Sequence, residues 1–263
     1  MDQDRLPALF VSHGAPTLIL EDVPARTFLK DLGRQYGNAG SVLCISAHWN
    51  LPGVRVTSVE NPETIHDFYG FPQELYTIRY PAHGNPALAG KVARILVDQG
   101  IPCETDTVRG LDHGAWVPLK LMFPSADIPV VQLSIQRNLD PAFHVALGMA
   151  LAGLRDEGVL ILGSGGAVHP LGDPTASLGE GAPTEPWAVE FNDWLTDAVT
   201  RGDRDRLIGY RALAPHAQRA HPYPDHYMPL LAAMGAAGPG ARGTVIHHSW
   251  DLGDLGMDAY AFR

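Results

Sequence analysis

Three histidines follow short runs of apolar and β-branched residues: Leu9-Phe10-Val11-Ser12-His13-Gly14, Leu43-Cys44-Ile45-Ser46-Ala47-His48-Trp49 and Leu160-Ile161-Leu162-Gly163-Ser164-Gly165-Gly166-Ala167-Val168-His169. Each run has the composition of a buried strand and leads into a turn of small residues. In open α/β sheets, ligands bind beyond the carboxyl ends of the strands. Three imidazoles delivered to one such edge could share an ion, and imidazole suits zinc and iron(II) alike. A single histidine at a strand end is as readily a loop-capping group. Three in equivalent places make coincidence the weaker account. A fourth cluster, Ala220-His221-Pro222-Tyr223-Pro224-Asp225-His226-Tyr227, leads into a helix. Asp225 reads as an N-cap or first-turn acid, and either His221 or His226 could be a ligand.

Two further segments could line a pocket. His113 sits in Leu111-Asp112-His113-Gly114-Ala115-Trp116, entering a helix, and His66 in the aromatic loop His66-Asp67-Phe68-Tyr69-Gly70-Phe71-Pro72. The loop aromatics, with Trp49 and Trp116, are candidates to wall an aromatic substrate, although Trp116 reads as core first. His83, His144 and His216 read as surface or structural, and of His247 and His248, neighbours on a late strand, at most one can face a cleft. No HExxH, P-loop or GxSxG signature is present. The glycines around Ser164 serve either a turn or the close approach of a ligand.

Composition narrows the class. The chain has 263 residues, 12 His and 2 Cys, so nitrogen ligands or acid–base chemistry fit better than a thiolate or disulfide framework. Cys44 and Cys103 read as reduced thiols of a cytoplasmic protein. A net charge of −10 argues against nucleic acid and anionic membrane as partners. There is neither a signal peptide nor an apolar run long enough to span a bilayer.

The elements that must position these residues alternate along the chain. Strands are expected at 8–12, 41–47, 54–59, 129–135, 159–163 and 244–248, and helices at 24–36, 86–99, 141–156, 185–200 and 225–234. This pattern predicts a single α/β domain, with a central, mostly parallel or mixed sheet covered by helices on both faces. Residues 169–186 have linker composition and read as a long loop near the site.

Taken in order, Ser12-His13-Gly14-Ala15-Pro16, Ser46-Ala47-His48-Trp49, the His66–Pro72 loop, Leu111-Asp112-His113-Gly114-Ala115-Trp116, Val168-His169 and Pro224-Asp225-His226-Tyr227 resemble the 4,5-DOPA extradiol dioxygenase family, LigB-type (class III) ring-cleavage enzymes. The resemblance covers nearly the whole chain. It implies one LigB-like catalytic domain over 1–263, catechol and O2 as substrates, and a mononuclear non-haem metal, Fe(II) for activity with Zn(2+) possible in the isolated protein. It implies His13, His48 and His226 as metal ligands, His169 as either the acid–base residue or a further ligand, and His113 as a second pocket histidine bonding substrate. Non-haem iron oxygenases commonly use two histidines and a carboxylate, whereas the third position here is His226 with Asp225 beside it. Two rival classes share these residues: a zinc hydrolase on the same histidines, and a non-enzymatic Memo-type binding protein.

Overall fold

The computed structural model describes residues 5–136, 141–171 and 182–263. Its centre is an eight-stranded sheet in the order β4-β3-β5-β2-β6-β1-β10-β7. The strands are β1 (Ala8–Ser12), β2 (Ser41–Leu51), β3 (Val54–Thr57), β4 (Cys103–Asp106), β5 (Val130–Gln136), β6 (Val159–Gly165), β7 (Gly243–His247) and β10 (Ala259–Phe262); β8 (Trp250–Asp251) and β9 (Leu255–Gly256) form a separate hairpin. The middle four, β5-β2-β6-β1, are parallel, while β10 runs antiparallel to both β1 and β7. The sheet is therefore mixed with a parallel centre, and the α/β expectation holds.

Both faces are covered, which explains the continuous apolar strands. In β1, Ala8 and Phe10 join one core and Leu9 and Val11 the other, as strand alternation requires. The first core takes its helical cover from α2 (Pro86–Asp98), α4 (Pro141–Leu151), α5 (Pro186–Arg201) and α9 (Met228–Ala237); the second from α1 (Pro24–Gln35) and α3 (His113–Met122). Short helices α6 (Arg204–Ile208), α7 (Tyr210–Leu213) and α8 (Ala217–Ala220) link α5 to the segment carrying His226. Proline at the first turn starts α1, α2 and α5, where its missing N–H costs nothing. Among the described residues, no helix is long and apolar enough to cross a membrane.

Five elements depart from expectation. β2 runs on to Leu51, so His48 and Trp49 lie on the strand rather than in a turn after it. The helix expected over 141–156 stops at Leu151 and tightens into a 3-10 segment, Ala152–Glu157. The helix expected from 225 opens as a 3-10 turn, Asp225–Tyr227, before α9. β4 and β10 escaped the apolar pattern: β4 is a short, polar edge strand, and β10 alternates only alanine with aromatics. Of the loop expected over 169–186, residues 172–181 lie outside the described residues.

Candidate metal centre

The parallel strands converge on one edge, and the histidines gather there. His13 follows β1, and its amide donates to Gly165 O (3.0 Å) at the end of β6. His48 sits where β2 bulges: Ile45 pairs with Leu133 and Asn50 with Ile135, so three more residues fall on β2 than on β5 over this interval. Bulges re-aim side chains beside functional sites. His226 lies in the 3-10 turn before α9, and its carbonyl accepts from Gly166 N (3.0 Å). His113 is the first residue of α3, whose N-cap is Asp112. α3 comes so close that a Cβ on Gly114 would lie 2.5 Å from Ser46 Oγ and 2.9 Å from His48 Cδ2.

The inner nitrogens are close together. His48 Nε2 lies 3.0 Å from His13 Nε2 and 3.1 Å from His226 Nε2. His113 brings a nitrogen within 4.8 Å of those of His13 and His48. Their outer nitrogens fix where the protons are. Ser164 Oγ donates to Gly114 O, so its oxygen accepts from His13 Nδ1 (3.0 Å). Pro118, four residues beyond Gly114, has no N–H to offer that carbonyl, which leaves it for the serine. Asp225 Oδ1 accepts from His226 Nδ1 (3.1 Å) and from the His226 amide (2.9 Å). His13 and His226 therefore spend their single ring protons outward and present lone pairs inward. His48 Nε2 can offer at most one proton between two such neighbours. At least one contact is then lone pair against lone pair, an arrangement that a shared cation relieves. Nitrogens bound at about 2.1 Å to one ion stand about 3.0–3.4 Å apart for angles of 90–109°, so the observed spacing fits a metal.

Electrostatics agree. Burial, then the neighbouring imidazoles, holds His13 and His226 well below the usual histidine range, and burial followed by His113 brings His48 down to about 4. Neutral imidazole is the form that binds a metal. Asp67 is held at about 2: burial opposes its ionisation, but hydrogen bonds and charge from His113 outweigh it.

His169 stands differently. Its ring stacks on His226 with centroids 3.5 Å apart and planes 8° from parallel. A ring nitrogen's lone pair lies in its own ring plane, so two parallel rings at this spacing direct their lone pairs along separate planes. Burial, then His226, lowers its pKa as well.

Other candidates go elsewhere. His221 is buried and its Nε2 is taken by Ala167 O (3.0 Å), with the ring packed edge-on to Tyr227. Asp225 is a first-turn acid, but the N-cap position belongs to Pro224. In the aromatic loop, Phe68 meets His113 edge-on at 5.7 Å, while Tyr69 is 91% exposed and walls nothing. Trp116 is core, its Nε1 donating to Ile65 O (2.9 Å), and His66 bonds Ile78 O (3.1 Å) behind Phe68. His144 is structural rather than surface, accepting from Gln136 N. His247 stacks on Phe28, and His248 pairs with Asp258. The glycines beside Ser164 serve packing: a Cβ on Gly165 would lie 2.2 Å from His226 O.

Sequence reasoning missed the residues that hold the rings. Asp67 Oδ1 accepts from His113 Nδ1 (3.0 Å) and from its amide (2.9 Å), and Ser164 orients His13. Buried Asp112 accepts from Ser46 Oγ (2.7 Å), Arg109 (3.0 Å) and Gln132 beneath His48. Asp67 and Asp112 each precede or follow a histidine in the motifs, which was the one available signal.

The family model for the catalytic LigB subunit of aromatic ring-opening dioxygenase matches residues 7–263. The chain belongs to this LigB family. A 4,5-DOPA dioxygenase extradiol of Beta vulgaris is 45% identical over 258 residues, 96% of this chain and 95% of that one. A protein of the same name in Escherichia coli K12 is 39% identical over 263 residues, covering 98% and 94%. The crystal structure of an uncharacterised Escherichia coli K12 protein superposes with a TM-score of 0.80 at 33% identity, covering 98% of this chain and 99% of that one. LigB dioxygenases are metal-dependent, in keeping with the histidine cluster.

Proposed function

We propose that the chain is one catalytic domain that opens the ring of a DOPA-like catechol by extradiol cleavage, using O2 at a mononuclear non-haem iron held by His13, His48 and His226. The observation that carries this reading is the convergence of three Nε2 atoms, with the ring protons of His13 and His226 engaged on their outer nitrogens. Spacings of 3.0 and 3.1 Å fit nitrogen ligands of one ion, and imidazole donors suit iron(II) and zinc alike. Zinc can still occupy the same donors in the isolated protein. Free Cys44 and Cys103 accord with a cytoplasmic location.

Bound iron would supply open positions for both catechol oxygens and O2, and would pass electrons between them. The protein's part is positioning and proton transfer. His169, parallel to His226 and so poorly placed to share its ion, takes the proton that a catechol hydroxyl loses on binding. Burial keeps its imidazole unprotonated, the form a base needs before the proton arrives. The same ring returns the proton later in the cycle. His113, its ring centroid 3.9 Å from that of His48, hydrogen-bonds the substrate oxygens, and Phe68, edge-on to it, borders the aromatic ring and helps exclude water. Both oxygen atoms end in the product, so no external reductant is needed.

The test is to load the protein anaerobically with Fe(II), add L-DOPA or another catechol from a panel, and admit oxygen. A yellow ring-opened product should appear with one O2 consumed per catechol. Absence of uptake with every catechol at full iron occupancy refutes the reading, and oxygen-independent hydrolysis with zinc alone would replace it. His169→Ala should keep its metal and lose turnover; loss of metal instead would make His169 a ligand.

A further inference from the structure

We propose that Asp67 is a positioning residue that sets which nitrogen of His113 faces the metal centre; this rests on His113 bonding substrate, as proposed above. A carboxylate can only accept, and Asp67 Oδ1 lies 3.0 Å from His113 Nδ1. Nδ1 therefore carries a proton, and in the neutral ring that leaves Nε2 as an acceptor for a substrate hydroxyl. The second oxygen, Oδ2, stands 3.7 Å from His48 Nδ1, so one carboxylate biases two neighbouring rings in the same sense.

The carboxylate is held in place by backbone. Ile65 N donates to Leu111 O and Leu111 N to Glu63 O, both at 2.8 Å, pinning the strand of chain before Asp67 to the entry of α3. Trp116, one turn into α3, donates to Ile65 O (2.9 Å). Phe68, the next residue, meets the His113 ring edge-on. The segment that orients the proton acceptor therefore also supplies part of the substrate wall, and displacing it disturbs both.

A simpler role is available. Asp67 Oδ1 also accepts from the His113 amide (2.9 Å), one of the unpaired N–H groups at the start of α3. If that were its whole purpose, Asp67 would matter for stability and leave the tautomer unchanged.

The two roles separate by experiment on the full chain. In zinc-loaded, 15N-histidine-labelled protein, long-range 1H–15N correlation spectra show which ring nitrogen carries the proton, with His113 assigned by its loss in His113→Ala. Wild type should show the proton on Nδ1. Asp67→Ala should move it to Nε2, and Asp67→Asn, which retains an acceptor oxygen, should fall between. In the iron-loaded enzyme, Asp67→Ala should lower kcat about 100-fold, the size expected when a positioned hydrogen bond to the reacting oxygens is lost, with KM changed less than about threefold and partial recovery in Asp67→Asn. A His113 proton on Nε2 in wild type, or on Nδ1 in Asp67→Ala, overturns the proposal, as does a lowered Tm with unaltered kcat. If wild type turns over no catechol, the functional reading fails while the tautomer comparison still decides the role of Asp67.

Discussion

Replacing Gly165 by alanine should separate two of the proposed metal ligands, His13 and His226, while leaving both imidazoles intact. The new Cβ would lie 2.2 Å from His226 O, where ordinary contact begins near 3.4 Å, so the two backbones must part by roughly 1.2 Å. β6 cannot yield readily, because it is hydrogen-bonded between β1 and β2 and its Gly165 carbonyl holds the His13 amide. The turn carrying His226 must move instead, against the Gly166 N to His226 O bond. Overpacking of this kind costs about 1–3 kcal/mol. If that cost falls on the metal-competent arrangement, affinity drops by about 5- to 150-fold. Zinc affinity measured by competition with a chromogenic chelator checks it, with Gly153→Ala as the control, since nothing lies within 4 Å of that Cβ. Gly165→Ala with wild-type zinc affinity would show that His226 is not tied to this strand as described.

Other outcomes follow from the same geometry. Ser164→Ala removes the partner of His13 Nδ1 and should weaken metal binding by about 10- to 100-fold while circular dichroism stays unchanged. His226→Ala should abolish tight zinc binding, whereas His221→Ala should retain it and lose thermal stability, which equilibrium dialysis and a melting curve distinguish. For the metal-free protein, unfolded histidines take up protons as pH falls through about 6.5, while folded His48 resists until about 4 and His13 and His226 also stay neutral below their usual range. The unfolded state binds more protons in that window, so urea midpoints should fall as pH drops from about 6.5 toward 4. A midpoint flat across that window would contradict the buried neutral cluster. Gly90→Ala, mid-helix in α2 with open space at its Cβ, should raise stability by up to about 1 kcal/mol in urea denaturation.

Much of this was legible in the chain. The apolar runs ending in His13 and His48 marked strands, because a parallel centre covered on both faces must be apolar on both sides of each strand. The helix starts at Pro24 and Pro86 were legible too, since proline's chemistry at a first turn is local. The motif order carried the family, which the match over residues 7–263 shows. Where local pattern failed, the cause was tertiary. β4 has too few apolar residues to announce itself and forms by pairing with β3. His221 and His226 stand five residues apart with equal claims, and only the fold turned one inward and the other onto Ala167 O.

The sequence by itself determined the α/β class, the sheet edge where chemistry would gather and the residue types available for it. The tertiary structure decided which imidazoles meet and which outer nitrogens of His13, His113 and His226 find acceptors. Those decisions rest on contacts between residues remote in the chain: Ser164 on His13, Asp67 on His113, and Pro118 freeing the carbonyl that holds the serine. A tautomer depends on what the outer nitrogen touches, and that partner is set by packing rather than by neighbouring positions in the sequence.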